Sequence, residues 1–501
     1  HIDLALIHNW HNHKARQLKA SILRHSGKTE EALKFIEESL IVDKFNLGCR
    51  FEKYFIESNP VELQEMLSIL NGSVHNYIEY AFDFSSAGMY EEASRIMHTY
   101  IDEQTNIYPI AAYMLGYFAS MAGDKETAQK WYKKAQSLSP DKCFPNRIDE
   151  VNVLADAMKM NPEDFKAPYY LGNFWYAHRR YEEATVCWEK SVEINNQFPT
   201  ALRNLSLAYY NKKGRKEEAC RLLEKAFELD QTDSRIFMEL DQLYKKMGRA
   251  HAERLTFLEA HLELVAQRDD LCIERITLYN QLGNYEKARE LIAARKFHPW
   301  EGGEGKVTGQ YILCRVELAK KAIKEKRYLE AISLLKETDH YPHNLGEGKL
   351  INAEENEVDY YKGIAYQKLG NEAESIKYLM KATQGSSEPQ QAFYYNDQQP
   401  DKIFYQGLAW RALGEESKAR SRFNKLIDHG KKHLFDECKI DYFAVSLPEL
   451  AIWEDDLNVR NKVHCYYVMA LGYSGIGEEE LAEEYYEKVK RLDVNKQVFR
   501  M

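Results

Sequence analysis

Apolar and small residues recur along this chain in one fixed frame. Ala93, Ala128, Ala184, Ala219, Ala288, Ala331, Ser375, Ala419 and Ala482 each hold a small position. Four residues further on stands a bulky partner: Met97, Tyr132, Trp188, Leu223, Ile292, Leu335, Leu379, Phe423 or Tyr486. Five residues before most of them lies a glycine, as at Gly88, Gly123, Gly214, Gly283, Gly370, Gly414 and Gly477. Residues four apart share a helix face. A glycine just upstream stops the preceding helix, because it enters the left-handed region without a Cβ penalty. The frame therefore predicts helix, tight turn, helix, repeated down the chain. Paired glutamates such as Glu91-Glu92, Glu182-Glu183 and Glu217-Glu218 sit where second helices begin and suit the positive end of the helix dipole.

The type unit runs from Ala112 to Pro140. In it Leu115, Gly116, Gly123, Ala128, Tyr132, Ala135 and Pro140 are spaced like the tetratricopeptide consensus. The chain thus resembles the tetratricopeptide repeat family over most of its length. That resemblance implies an all-α, right-handed superhelical solenoid of roughly eleven tetratricopeptide-type hairpins. Such arrays bind rather than transform. Some copies depart from the pattern: Arg179 replaces the turn glycine, and Glu253 stands at the small position of a degenerate copy. Between the repeats, Val61 to Leu70 and Arg147 to Met160 read as irregular helices.

Spacing divides the chain. Ala184 to Ala219 is 35 residues, close to the period of this repeat. Ala288, Ala331, Ser375 and Ala419 then follow at steps of 43, 44 and 44. Residues 1–295 are read as tetratricopeptide-type repeats and 296–501 as repeats with lengthened loops, in one continuous solenoid. Two of these loops, HPWEGGEGK at 298–306 and YPHNLGEGK at 341–349, are near copies offset by one lengthened period. With YYND at 394–397 and KIDYFAVSLPEL at 439–450, they look like the C-terminal array of uncharacterised bacterial proteins. Those proteins carry an N-terminal β-rich domain of unknown function, and some are linked to carbohydrate metabolism. On that resemblance the chain, which begins at His1, is a processed form or a fragment.

The loops supply the candidate ligand-binding residues. Aromatic faces come from Trp300, Tyr341, Tyr394, Tyr395 and Tyr442. Carboxylates come from Glu301, Glu304, Glu347, Asp397, Asp401 and Asp441, with Asn396 and the imidazoles of His298 and His343 beside them. Lys306 and Lys349 sit at expected helix starts, where the dipole disfavours a cation unless a glutamate or a bound anion offsets it. The competing reading is packing: glycines turn a longer connection and rings fill the space beneath it. The Gly-Glu-Gly-Lys string is not a phosphate loop, since the upstream glycine and the Ser or Thr after lysine are missing.

Composition narrows the classes. A net charge of −10 with 29% charged residues argues against nucleic acid and anionic membranes. No apolar run is long enough for a membrane span, and no signal peptide opens the chain. The 8 cysteines are scattered singly, which disfavours zinc ribbons and disulfide frameworks and reads as reduced thiols in a cytoplasmic protein. His8, His11 and His13 lack the further ligands a metal site needs. No catalytic residue, metal or cofactor is implied. The expected function is a scaffold for a protein, a peptide or its own N-terminal domain. The alternative is a carbohydrate-related enzyme or accessory module with a polar site in the loops.

Overall fold

Each hairpin closes around its small residue. In the pair Pro109–Met121 and Lys125–Ser137, Ala128 is fully buried, and a Cβ on Gly116 would lie 2.5 Å from the Tyr132 ring. Gly172 faces Trp188 in the same way. At the turn, Gly123 takes φ 89°, and Asp124 N donates to Ala119 O at 2.9 Å, which satisfies a carbonyl at the helix end. Where glycine is missing, Arg179 and Lys326 adopt φ 60° and 63°. The repeat geometry is strong enough to hold a Cβ-bearing residue in that region, at about 1 kcal/mol each.

A computed structural model describes residues 1–501 except 103, 301, 352, 393–396, 398, 440–451 and 499–501. Among the described residues it holds 27 α-helices and no β-strand. The all-α array of hairpins is therefore what forms, and the β-rich domain of the closer resemblance is no part of the described chain. The irregular helices stand at Pro60–Leu70 and Ile148–Met160.

The chain forms two compact units, residues 1–208 and 209–501. The boundary expected at 295/296 falls within the second. The first unit is built on buried aromatics, among them Tyr77, Phe84, Tyr113, Tyr132 and Tyr170.

In the second unit, the degenerate copy resolves differently from its sequence reading. The helix His251–Glu259 places Arg254, not Glu253, at the fourth position, where the other second helices carry alanine. Glu253 faces solvent, and Arg254 is 1% exposed. A guanidinium can fill that place only because acids surround it. After the last helix, Glu479–Leu492, the chain turns back against the earlier repeats of the same unit.

Candidate functional site

The two lengthened loops do stack, and they spend most of their polar groups on each other. Asn344 O accepts from Phe297 N at 2.7 Å, and Asn344 Nδ2 donates to Ile292 O and Arg295 O, capping the helix Tyr285–Ala294. Gly346, at φ 78°, lies so close that a Cβ would be 2.8 Å from Phe297 O. Glu347 accepts from Gly305 N and from Thr308 Oγ1, so it caps the helix Lys306–Lys324. His298 lies against Asp269 at 3.1 Å. The Tyr341 hydroxyl donates to Glu355 at 3.0 Å, and its ring joins the core of Phe297, Leu345 and Tyr311. Lys349 is not at a helix start: the next helix begins at Asn356, and the ammonium is taken by Glu355 and Thr338 O. His343 is exposed, Glu304 is half-buried, and Asp397 accepts from Gln399 through its carbonyl. Glu301, Tyr394, Tyr395, Asn396, Asp441 and Tyr442 lie outside the described residues.

Three of the expected residues, Trp300, Lys306 and Asp401, open instead onto an interior cavity of ≈ 860 Å³ within the second unit. Two later segments help to enclose it. Trp453 is 2% exposed, stacks edge-on against Tyr210 at 5.2 Å and donates to Glu239 O. Beside it Asn211 clamps main chain at both ends, donating to Ile452 O at 2.9 Å and accepting from Glu454 N at 3.0 Å. Further on, Asn495 donates to Lys245 O and accepts from Arg254, while Gln281 donates to Asn495 O at 2.7 Å. Gln310 and Gln497 exchange amide hydrogen bonds.

Most charges on this lining are already paired. Arg254 binds Asp241 at 2.7 Å and Glu274 at 2.8 Å, and Lys245 binds Glu274 at 2.9 Å. Burial raises Asp241 above the usual carboxylate range. Burial also acts on Glu274, yet Lys245 and Arg254 outweigh it and hold that carboxylate low. Glu454 pairs with Lys212, Asp455 with Lys246, and Asp270 with Arg268. Asp456 caps the helix Leu457–Ile476, and Asp493 accepts from Asn495 N.

Lys306 and Lys496 are different. Neither ammonium has an ion pair or hydrogen bond among the described residues. Lys306 is exposed on the cavity side, yet loss of water and the nearby Lys245 push its ammonium below the usual lysine range. Burial does the same to Lys496, which lies 5.2 Å over the Tyr467 ring. Asp401 is buried beside Lys402, whose ammonium is held by Glu357 at 2.6 Å, and burial raises its carboxyl. His464 Nε2 donates to Gln390 O at 2.7 Å, and burial with Lys496 lowers its imidazole to about 3.

Sequence reasoning missed Arg254, Lys496, Trp453 and Asn211. A signal existed for one of them: Arg254 occupies a frame position that alanine holds elsewhere.

These hairpins define a helical-repeat binding fold. The tetratricopeptide repeat family matches at residues 110–142, 201–233, 360–384 and 463–495, so the chain carries tetratricopeptide repeats. Solved structures similar to it include a MamA fragment from Desulfovibrio magneticus RS-1, at 21% identity over 38% of this chain and 95% of that one, TM-score 0.23. Pseudomonas aeruginosa PilF matches at 16% identity over 43% and 87%, TM-score 0.26. The P58(IPK) tetratricopeptide domain matches at 15% identity over 77% and 98%, TM-score 0.23.

Proposed function

We propose that the chain is a recognition scaffold that binds a protein or peptide through the inner face of its second unit. One observation carries this: the second unit already holds a segment of its own chain, Ile452 to Glu454, by main-chain hydrogen bonds and a buried ring. Asn211 reads main-chain carbonyl and amide together, and Trp453 anchors the segment in a buried slot. Side-chain amides on main chain give affinity, and a buried aromatic gives specificity. Lys212 and Lys246 add a preference for the acids that follow the tryptophan.

The test uses the full chain and a labelled peptide copying residues 449–457. The parent, with its slot filled, leaves the peptide free. The Trp453→Ala chain binds it at micromolar Kd, and adding Asn211→Ala weakens binding about ten-fold. If the Trp453→Ala chain keeps its helical circular dichroism and ignores the peptide, the proposal fails.

A second reading, a polar small-molecule site related to carbohydrate, is supported by the placement of Trp300, Lys306 and Asp401 on the cavity. Its site is then the interior and not the loop edge.

A further inference from the structure

The segment after the last helix begins with a turn that this chain uses elsewhere. Asp493 Oδ1 accepts from Asn495 N at 2.9 Å. The same bond, from an amide to the side-chain oxygen two residues back, follows the helices that end at Val42, Ile194 and Leu229. There it joins Phe45 to Asp43, Gln197 to Asn195 and Thr232 to Asp230. Such a turn presents its third residue in a fixed direction by local bonds alone.

Phe45, Gln197 and Thr232 are exposed at that third place, whereas Asn495 is half-buried and held from three helices. Its Nδ2 donates to Lys245 O at 2.9 Å, its Oδ1 accepts from Arg254 Nη1 at 3.2 Å, and its main-chain carbonyl accepts from Gln281 at 2.7 Å. Asn495 is the one acceptor of Arg254 Nη1 among the described residues. A primary amide offers donor and acceptor together, which neither a carboxylate nor a hydrocarbon does. Two residues on, Gln497 and Gln310 exchange bonds at 3.0 and 3.2 Å, and Asn280 donates to the same Gln310 at 2.8 Å.

The seat is not fully used by its occupant. His251, whose side chain lies against Asn495, keeps Nε2 buried without a hydrogen-bond partner among the described residues, and so do Asn280 Oδ1 and Gln281 Oε1. Buried polar groups without partners are costly, so a segment that reaches more of them displaces one that reaches fewer. Carboxylates outnumber cations on the adjoining cavity lining, and Asp401 and Asp493 act on Lys496. A lysine after the asparagine is therefore matched in charge.

Resting on the scaffold reading above, we propose that the helices Ser234–Lys246, His251–Glu259, Asp269–Gln281 and Lys306–Lys324 form a site for an Asp-x-Asn-Lys-Gln turn of another polypeptide, and that residues 493–497 fill it in cis as a built-in competitor. The partner's asparagine takes the place of Asn495, its lysine that of Lys496 and its glutamine that of Gln497. The tethered tail holds the seat at high effective concentration, so binding in trans requires its release.

The test is fluorescence anisotropy on the full chain with a labelled peptide copying residues 491–498. The parent, its seat filled, leaves the peptide free. The Asn495→Ala, Gln497→Ala chain, whose own tail is weakened, binds it at least about ten-fold more tightly than the parent. A peptide carrying Asn495→Ala binds that chain about ten-fold more weakly or worse. Adding Gln281→Leu to the chain weakens binding of the unaltered peptide as well. Folding is checked by helical circular dichroism. Where the double variant fails that check, Gln497→Ala alone serves, and it too binds the peptide more tightly than the parent.

A folded variant that ignores the peptide overturns the proposal and leaves the scaffold reading to the separate 449–457 peptide. Equal binding of the asparagine and alanine peptides overturns the asparagine assignment. Binding by the parent as tight as by the variant places the peptide elsewhere on the chain and overturns the proposal as well.

Discussion

The lengthened loops and the interior of the same unit have similar chemistry and opposite uses for it. Residues 298–306 and 341–349 look like a binding surface, with rings, carboxylates and glycines. Yet Asn344 and Glu347 cap helix ends, Tyr341 packs beneath them, and Lys349 is neutralised by Glu355. The interior looks unremarkable in sequence, and there Lys306 and Lys496 have no hydrogen bond or ion pair among the described residues, though Glu274 and Asp270 act on the first and Asp401 and Asp493 on the second. A polar group is available to a ligand when its neighbours leave it unsatisfied, whatever its type or spacing.

The comparison can be broken first at Arg254. Arg254→Ala leaves the buried Asp241 without its ion pair and the part-buried Glu274 with Lys245, and costs about 3–5 kcal/mol. Urea unfolding of the full chain, followed by tryptophan fluorescence, reads it. A loss near zero would mean that the cavity wall tolerates rearrangement as a surface loop does.

Acid should act through the interior next. His464 is held at about 3 when folded, against 6.5 for a free imidazole. Between those values the unfolded chain binds the extra proton. Stability is therefore full above about pH 6.5 and falls as pH drops toward 3, by up to about 1.4 kcal/mol per pH unit. His429, lowered to about 4 by burial and by His433, adds a contribution of the same sign. His464→Gln should flatten the slope in part, measured by unfolding at a series of pH values. An unchanged slope would remove the buried imidazole from the account.

The smallest effect belongs to the loops. Glu347→Gln keeps the shape but removes the negative charge at the start of the helix Lys306–Lys324, for a loss of about 1 kcal/mol. Placed in the Trp453→Ala chain, it should leave the affinity for the 449–457 peptide within two-fold, about 0.4 kcal/mol. A large fall in affinity with intact stability would restore the loop edge as the binding site.

The repeats were legible because their causes are local. Ala128 and Tyr132 share one buried helix face, Tyr132 packs on Gly116 sixteen residues back, Gly123 turns the chain just after its helix, and the hairpin follows from contacts close in sequence. The stacking of the two near-identical loops was legible too, through their offset. Their burden of hydrogen bonds was not, because Glu347 caps a helix that begins 41 positions earlier. Register failed at the degenerate copy for a similar reason. Arginine at a small position reads as a mismatch until Asp241 and Glu274 are seen beside it.

By itself, the sequence determined an all-α array of hairpins, its turn positions and the lengthening of its later loops, since these follow from helix period and backbone sterics over a few residues. Only the tertiary structure decided which polar groups are spent and which remain. Asn211 meets Ile452, and Asn495 meets Lys245, across 241 and 250 positions of chain. Whether a buried charge is satisfied depends on every group within a few ångströms of it, and in a folded chain those groups come from anywhere in the sequence.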